Sequence, residues 1–316
     1  MPQLSFVVPV YGSPHSLKPL TERIDVVCRS LEQSCEIILV DDRCPKGSWA
    51  VIEGLTRENA HVKGLRLSRN FGQHAAIQAG LRTATGEWIV VMDCDLQDQP
   101  EEVVGLLKKA VEESYDIVRA RRTERNDSFY RRASSKIFYS FLSFLTDTHQ
   151  SSEIANFGVY HKRVIKEFNR WTEQSKYFPA MIEWIGFRQT SITIKHSGRF
   201  EGRSSYTVKK LVSLATNIII GFSDKPLKIL MISGMLISSL TLISSIILIV
   251  LHFGGMFSVE GWTSVMLSLW FLGGFVIFGL GLTGLYVGRA LIESKGRPVY
   301  IMDTVLNAGE TEDKAP

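Results

Sequence analysis

The chain predicts an α/β fold: a sheet-and-helix unit over about its first two hundred residues, then a pair of membrane-spanning helices. Three observations carry that expectation. Short apolar runs closed by turn residues alternate with stretches of helical spacing from Leu4 to Arg122. Nearly every apolar run stops at polar or acidic residues. Two long segments, Ile229–Phe253 and Trp262–Val287, contain no Asp, Glu, Lys or Arg.

Leu4–Val10 is a near-continuous apolar run, as suits a strand buried on both faces, and Gly12, Ser13 and Pro14 close it. Leu17–Leu31 carries apolar residues at helical spacing. "CEIILVDD" repeats the strand pattern and ends in Asp41 and Asp42. Residues 49–56 read as a helix, "VKGLRLS" as a third strand, and "GQHAAIQAGLRTA" as an Ala-rich helix closed at Gly86. "EWIVVMD" is the fourth strand. "PEEVVGLLKKAVEE" opens a helix with Pro in its first turn and acids near its positive end, and "YDIVRA" is a fifth strand. The alternation predicts a parallel sheet with helices on both faces, where ligands bind beyond the carboxyl ends of the strands. Tyr11, Asp41, Asp42, Arg69, Asn70, Asp93, Asp95, Arg119, Arg121 and Arg122 fall at those ends. No GxGxxG follows the first strand, which argues against a dinucleotide site.

With 36 basic and 32 acidic residues, the net charge of +4 is too mild to argue for nucleic acid. The uncharged segments, as helices, reach roughly 37–39 Å, enough to cross a hydrocarbon core of ~30 Å. Neither has an amphipathic face, which disfavours a buried pair in a soluble domain. Lys225 and Lys228 precede the first segment; Arg289, Lys295 and Arg297 follow the second; the loop between them holds Glu260 and no Lys or Arg. The positive-inside rule therefore puts residues 1–228 and the tail in the cytoplasm. The expected division is a cytoplasmic α/β domain 1–203, a juxtamembrane amphipathic segment 204–226, spans at 227–253 and 262–288, an external loop 254–261 and a cytoplasmic tail 289–316. "LSFVVPV" lacks the basic start of a signal peptide. Cys28, Cys35, Cys44 and Cys94 show no CxxC spacing and read as reduced thiols, and the sequon at Asn126 reads as a chance match.

"VVMDCDLQDQP" concentrates the chemistry. Asp93 and Asp95, if the strand stayed extended, leave on one face. Two hard oxygen donors there suit Mg²⁺ or Mn²⁺, which take few carboxylates and complete their shell with water and phosphate. As an isolated surface turn the same DxD would mean little.

"FVVPVYG", "IILVDD", "LSRNFGQHAAIQAGL", "VMDCDLQDQPEEV", "FRQTSITIKHSGRFEGRSSY" and "GLYVGRALIESKGRPVYI" together resemble glycosyltransferase family 2, in its polyprenyl-phosphate branch of dolichyl-phosphate mannose synthase-like enzymes. The resemblance covers most of residues 4–303. It implies a GT-A fold, a nucleotide-sugar donor (UDP- or GDP-linked), a divalent metal, and inverting transfer to a polyprenyl phosphate, undecaprenyl phosphate in a bacterium. It further implies that Pro9, Tyr11, Asp41 and Asp42 contact the nucleotide and that Arg69, Asn70 and Gly72 belong to the donor site. Asp93 lies near ribose and diphosphate, Asp95 holds the metal, and Gln97 and Asp98 line the sugar pocket. Arg199, Arg203 and Tyr206 handle donor diphosphate and acceptor phosphate. Apart from the resemblance, Lys209 and Lys210 lie in the segment leading to the first span, where their charge suits drawing headgroup phosphate toward the site. Asp93, Asp95, Asp98, Arg199 and Arg203 form the expected catalytic set.

The chain also departs from the family pattern. Gly12-Ser13-Pro14 replaces Asn-Glu-Glu, "DDRCPK" replaces "DDGSxD", and "ANFGVY" replaces "GDFRL", so Asn156 stands where Asp is frequent and is kept as a sugar or phosphate contact. Ser205 replaces Lys in "RFEGRSSY", and Leu285 replaces Glu in "GLYVGR". "EFNRW" nearly spells the QxxRW of processive synthases but lacks the Gln, and reads as a helix end. "FYRRASSKIFYSFLSFL" suits either a helix lying on anionic headgroups or an ordinary core helix with a solvated basic end, and the glycines from Gly273 to Gly284 suit helix packing and a homo-oligomer. The alternatives are transfer to a lipid-linked sugar or lipid hydroxyl, and a non-catalytic nucleotide-sugar-binding membrane partner.

Overall fold

The computed structural model describes residues 3–122, 154–171, 173, 177–194, 223–253 and 261–308. They divide into two units, one holding the sheet and residues 296–308, the other holding residues 223–253 and 261–295.

The sheet unit is built around β1 (Leu4–Val10), every residue of which is buried. β2 (Cys35–Asp41) and β3 (Val62–Leu67) extend the sheet to one side, reached through α1 (Leu17–Ser30) and α2 (Ser48–Glu58). The chain then returns through α3 (Gln73–Thr83) to place β4 (Trp88–Val91) on the other side of β1, parallel to it. Strand order therefore reverses between β1 and β4. α4 (Glu102–Glu112) leads to β5 (Ile117–Arg122), and β6 (Ile154–His161) fills the gap between β4 and β5, antiparallel to both. α5 (Lys162–Arg170) and α6 (Phe178–Ile185) precede β7 (Gln189–Ile194), which lies parallel to β5. α5 ends at Arg170, within "EFNRW", as its reading as a helix end anticipates.

The full order is β7-β5-β6-β4-β1-β2-β3-β8, and it corrects two expectations. The sheet is mixed, not wholly parallel: β6 and the C-terminal strand β8 (Met302–Leu306) oppose the other strands. β8 closes the edge beside β3 and is a strand the local pattern did not announce. The thiol reading of the cysteines changes too. Cys28 near the end of α1 and Cys35 at the start of β2 form a disulfide, because the turn between them brings their Cα atoms to 6.3 Å; Cys44 and Cys94 are free and buried.

Pro9 shows how β1 opens the sheet. Val7 O accepts from Met92 N–H at 3.2 Å and Val10 O accepts from Asp42 N–H at 3.1 Å. Odd positions thus address β4 and even ones β2. Pro9, with no N–H to give, addresses the β4 side just after β4 has ended at Val91. A crevice forks open there.

Helix α3 lies hard against the sheet below that fork. A Cβ on Gly80 would come within 2.4 Å of Val7 Cγ1 and 3.2 Å of Val40 Cγ2, so only glycine permits the approach. At the opposite end of the strands, Glu36 is buried and accepts from Ser5 Oγ (2.5 Å), Thr85 N (2.7 Å) and Thr85 Oγ1 (2.9 Å), with Lys63 Nζ at 2.5 Å.

In the second unit, α7 (Lys225–Phe253) has 29 residues and α8 (Trp262–Ser294) has 33. Among the described residues one segment, Ser268–Ser294, is long and apolar enough to cross a membrane. Gly279 of α8 meets Leu230 of α7, where an added Cβ would sit 3.4 Å from Leu230 Cδ2. Tyr286 Oη donates to Ser223 O at 2.8 Å. The basic segment "FYRRASSKIFYSFLSFL" lies outside the described residues.

Candidate functional site

The crevice between β1 and β4 sits at a topological switch point, the place where open α/β sheets hold ligands. The residues leaving β1, β2, β3 and β4 at their carboxyl ends line it.

From β1 comes Tyr11, 54% exposed, followed by Gly12 at φ 88, a conformation L side chains avoid. Gly12 N–H donates to Cys44 Sγ (3.1 Å) and Lys46 Nζ donates to Gly12 O (2.8 Å), binding this loop to the one after β2. Ser16 Oγ donates to Cys94 O at 2.5 Å and thereby joins it to the loop after β4.

From β2 come Asp41 and Asp42, both buried. Asp41 Oδ1 accepts from Cys44 N–H (3.1 Å), and Arg66 Nε lies 3.6 Å from Oδ2. Burial pushes the Asp41 carboxyl above the usual carboxylate range, against the pull of the Cys44 amide and of Arg66. Asp42 works as a clamp: Oδ1 accepts from Phe71 N–H (2.7 Å) and Oδ2 from Gly72 N–H (2.9 Å). Burial raises its pKa as well, and the two amides only partly offset the shift. Asp42 thus fixes the segment after β3 and the entry to α3. Within that segment Arg69 lies over the Phe71 ring at 4.1 Å, and Gly72 caps α3 at φ 96.

From β4 comes the acidic turn. The strand ends at Val91, so Asp93-Cys94-Asp95 lies in a turn and not on an extended face. Both carboxylates are half-buried. Asp93 Oδ1 accepts from Gln73 Nε2 at 2.6 Å, and Asp95 Oδ1 accepts from Gln97 N–H at 3.2 Å. Leu96 closes the turn at φ 59, a strained choice for a branched residue, and sends its side chain into the core. Gln97 and Asp98 are buried behind it. The Cys94 thiol is pushed up to about 12 by burial and stays protonated.

Asn156 is half-buried on β6, and its carbonyl accepts from Tyr160 Oη at 3.2 Å. Val91 pairs with Gly158 at the end of the β4–β6 ladder, and Asn156 lies two residues before Gly158 on β6. Pro9, Tyr11, Asp41, Asp42, Arg69, Asn70, Gly72, Asp93, Asp95, Gln97 and Asp98 lie in or beside the segments that leave β1–β4 at this crevice. Arg119 does not join them. It is buried within β5, with Nη2 donating to Glu183 Oε2 (2.6 Å) and Gln189 Oε1 (2.9 Å), and ties the sheet to α6. Arg199, Arg203, Tyr206, Lys209 and Lys210 lie outside the described residues.

Sequence reasoning missed Gln73, read only as a helix residue, and His74 beside it. The His74 ring packs edge-on against Tyr177 with centroids 4.9 Å apart, and burial lowers its pKa to about 4. A polar residue opening an Ala-rich helix directly after a glycine was the available signal for Gln73.

A mixed sheet whose order reverses at a carboxylate-lined crevice places the molecule in the ligand-binding class of open α/β sheets. Residues 5–168 match the family described as Glycosyl transferase family 2, and the chain belongs to that family. It is a glycosyltransferase. Among its relatives, the uncharacterized glycosyltransferase YkcC of Bacillus subtilis (strain 168) is 32% identical over 301 residues, covering 95% of this chain and 93% of the relative. The undecaprenyl-phosphate 4-deoxy-4-formamido-L-arabinose transferase of Klebsiella pneumoniae (strain 342) is 32% identical over 315 residues, covering 99% and 96%. Its counterpart in Proteus mirabilis (strain HI4320) is 32% identical over 319 residues, covering 98% of each. Among solved structures, mannosyl-3-phosphoglycerate synthase from Rubrobacter xylanophilus aligns with a TM-score of 0.48 at 13% identity, over 69% of this chain and 72% of that one.

Proposed function

We propose that the chain is a membrane-bound, inverting glycosyltransferase that moves one sugar from a nucleotide-sugar to undecaprenyl phosphate, giving a lipid-linked monosaccharide for cell-envelope glycan modification. The observation that carries this reading is the likeness to undecaprenyl-phosphate sugar transferases over nearly the whole of both chains, helices α7 and α8 included.

In the reaction, a lipid phosphate oxygen attacks the anomeric carbon as the bond to the departing diphosphate breaks and the electron pair leaves with it. An anionic phosphate needs no base to remove a proton, so a chain with Asn156 in place of an acid remains competent. Catalysis rests on alignment and on neutralising the leaving group. Tyr11, Asp41 and the Arg69–Gly72 segment hold the nucleotide, with Asp42 keeping that segment in place. Gln97, Asp98 and Asn156 face the sugar. Arg199, Arg203 and Tyr206 are assigned to donor diphosphate and acceptor phosphate on the family resemblance, and Lys209 and Lys210 to the lipid phosphate from their place in the segment leading to the first span.

Asp93 and Asp95 fit a divalent cation: they are hard oxygen donors, half-buried on one short turn, and each is oriented by a neighbouring amide. When bound, Mg²⁺ or Mn²⁺ supplies positive charge to the departing diphosphate.

Sheet topology supports two membrane spans. The chain leaves the sheet unit after β7 and rejoins it as β8, hydrogen-bonded to β3. An odd number of crossings would put β8 and β3 on opposite sides of the bilayer. Ser268–Ser294 supplies one crossing, and the 29-residue α7 is the natural second. The basic flanks Lys225, Lys228, Arg289, Lys295 and Arg297 then set the sheet unit in the cytoplasm.

The test is release of nucleoside diphosphate by purified full-length protein from a panel of UDP- and GDP-sugars, with and without undecaprenyl phosphate and with and without Mn²⁺. Release that requires both lipid and metal and is lost in Asp95→Ala is the expected result. Donor binding with no turnover on any lipid phosphate would sink the proposal.

A further inference from the structure

Strand β8 comes from the chain that follows α8, yet it is built into the nucleotide side of the sheet. It pairs antiparallel with β3, and the ladder continues beyond it, with Ser68 N–H donating to Ile301 O at 2.9 Å. Ser68 opens the segment that carries Arg69, Asn70 and Gly72. At the other end of the strand, Asn307 Nδ2 donates to Thr56 O (2.6 Å) and Val62 O (3.1 Å), so the strand is pinned at both ends.

A second link reaches the turn after β2. Arg43 directly follows Asp41 and Asp42, and its Nη1 donates to Asp303 Oδ2 on β8 at 2.8 Å. Arg43 adopts φ 54, the left-handed region, at the position where the resembled family often has glycine. Glycine would take that backbone conformation without strain but would reach nothing. The arginine accepts the strain and, in exchange, connects the acidic turn to β8.

We infer that β8 is a positioning element of the donor site and that Asp303, acting through Arg43, sets the Asp41–Asp42 turn against the nucleotide. The inference rests on the donor site proposed above. It makes nucleotide affinity depend on a segment that lies beyond the membrane helices, separated from the end of α8 by residues 295–301. Both side chains are nearly half exposed, so the pair contributes modestly, in the range of surface ion pairs.

The experiment titrates UDP and GDP, each with MnCl₂, into full-length protein in detergent by calorimetry. Asp303→Asn is expected to weaken the tighter-binding nucleotide about three- to fivefold, with the thermal unfolding midpoint unchanged. The single reversals Arg43→Asp and Asp303→Arg weaken it at least as much. The double variant carrying both restores affinity to within about twofold of native, a recovery that a purely structural role for β8 would not produce. Native affinity in Asp303→Asn, or a double variant no better than either single one, overturns the inference and leaves the donor site standing. A native chain that binds neither nucleotide overturns the donor-site reading and this inference with it.

Discussion

Gln73 Nε2 donates to Asp93 Oδ1 at 2.6 Å, so the first residue of α3 and the turn after β4 meet across the crevice. One residue earlier, Gly72 N–H is held by Asp42 from the end of β2. Three segments are thereby chained together: β2 through Asp42, the N-terminus of α3, and the acidic turn through Asp93. The α3 terminus acts as a strut between two acidic strand ends that share no backbone pairing, since β1 lies between them.

Removing the strut should show in catalysis before it shows in stability. Gln73 is exposed and Asp93 half-buried, so Gln73→Ala leaves no fully buried group without that bond. It removes a hydrogen bond to a charged acceptor, a loss of about 1.5 kcal/mol and hence roughly tenfold in kcat/KM for the donor. The expected outcome is that loss with an unchanged unfolding midpoint, and a higher Mn²⁺ concentration for half-activation. Steady-state kinetics over a metal titration checks it.

Gly80 sets how closely α3 approaches the sheet, and so where Gln73 stands. In an exposed helix Gly→Ala gains up to about 1 kcal/mol. Here the new methyl would lie 2.4 Å from Val7 Cγ1, a fully buried branched side chain with nowhere to move. Overpacking of this kind costs about 1–3 kcal/mol, so the net sign is destabilising. Gly80→Ala is expected to lower the unfolding midpoint of the detergent-solubilised chain and to reduce donor affinity, as α3 is lifted and Gln73 moves off Asp93. Gly54, with open space around its Cβ position, is the control: Gly54→Ala should leave both unchanged or raise stability slightly.

How much of this was legible in advance follows from what each feature owes to local sequence. β1, β2 and β4 stand out because burial on both faces writes continuous apolar runs. The acidic turn stands out because carboxylates interrupt such a run. β6 is hidden by Asn156 and Gly158, residues that disfavour strands. Gly158 is there because a Cβ would meet Val118 O at 2.9 Å across the sheet, a constraint imposed by a distant neighbour. β8 is hidden for a related reason: its partner β3 lies about 240 residues away, and no local pattern encodes that pairing. The Cys28–Cys35 disulfide depends on a turn geometry that spacing alone does not report. The double grip of Asp42 on Phe71 and Gly72 is likewise a matter of geometry, so the residue type was visible and its work as a clamp was not.

His74 sits one residue from the strut and should be silent in the pH profile. Burial lowers its pKa from 6.5 to about 4, so the ring is neutral throughout the working range. Donor kcat/KM measured from about pH 5.5 to pH 8 is expected to show no inflection assignable to this ring. The profiles of native protein and His74→Phe, which keeps an aromatic partner for Tyr177, should superimpose after scaling. An inflection near 6.5 that disappears in the variant would contradict the assignment.

Glu36 supplies the prediction in which pH and stability meet, at the end of the sheet away from the site. Burial by itself would raise its pKa, but Lys63, the Ser5 hydroxyl and the Thr85 amide together outweigh burial and hold it below the usual value of 4.5. A carboxyl whose folded pKa is depressed adds stability above its unfolded pKa, and loses it as pH falls through the folded value. At pH 7, Glu36→Gln should therefore destabilise the sheet unit by about 3 kcal/mol, because the variant leaves the Lys63 ammonium, only 19% exposed, without its counter-charge. The difference between native and variant should shrink as pH drops below 4.5 towards the folded pKa, since the native carboxyl then protonates and loses the same interaction. Thermal unfolding of both proteins at pH 7, 5 and 3.5 reads this directly. A gap that stays constant with pH would mean that the Glu36 carboxylate contributes through packing and not through its charge.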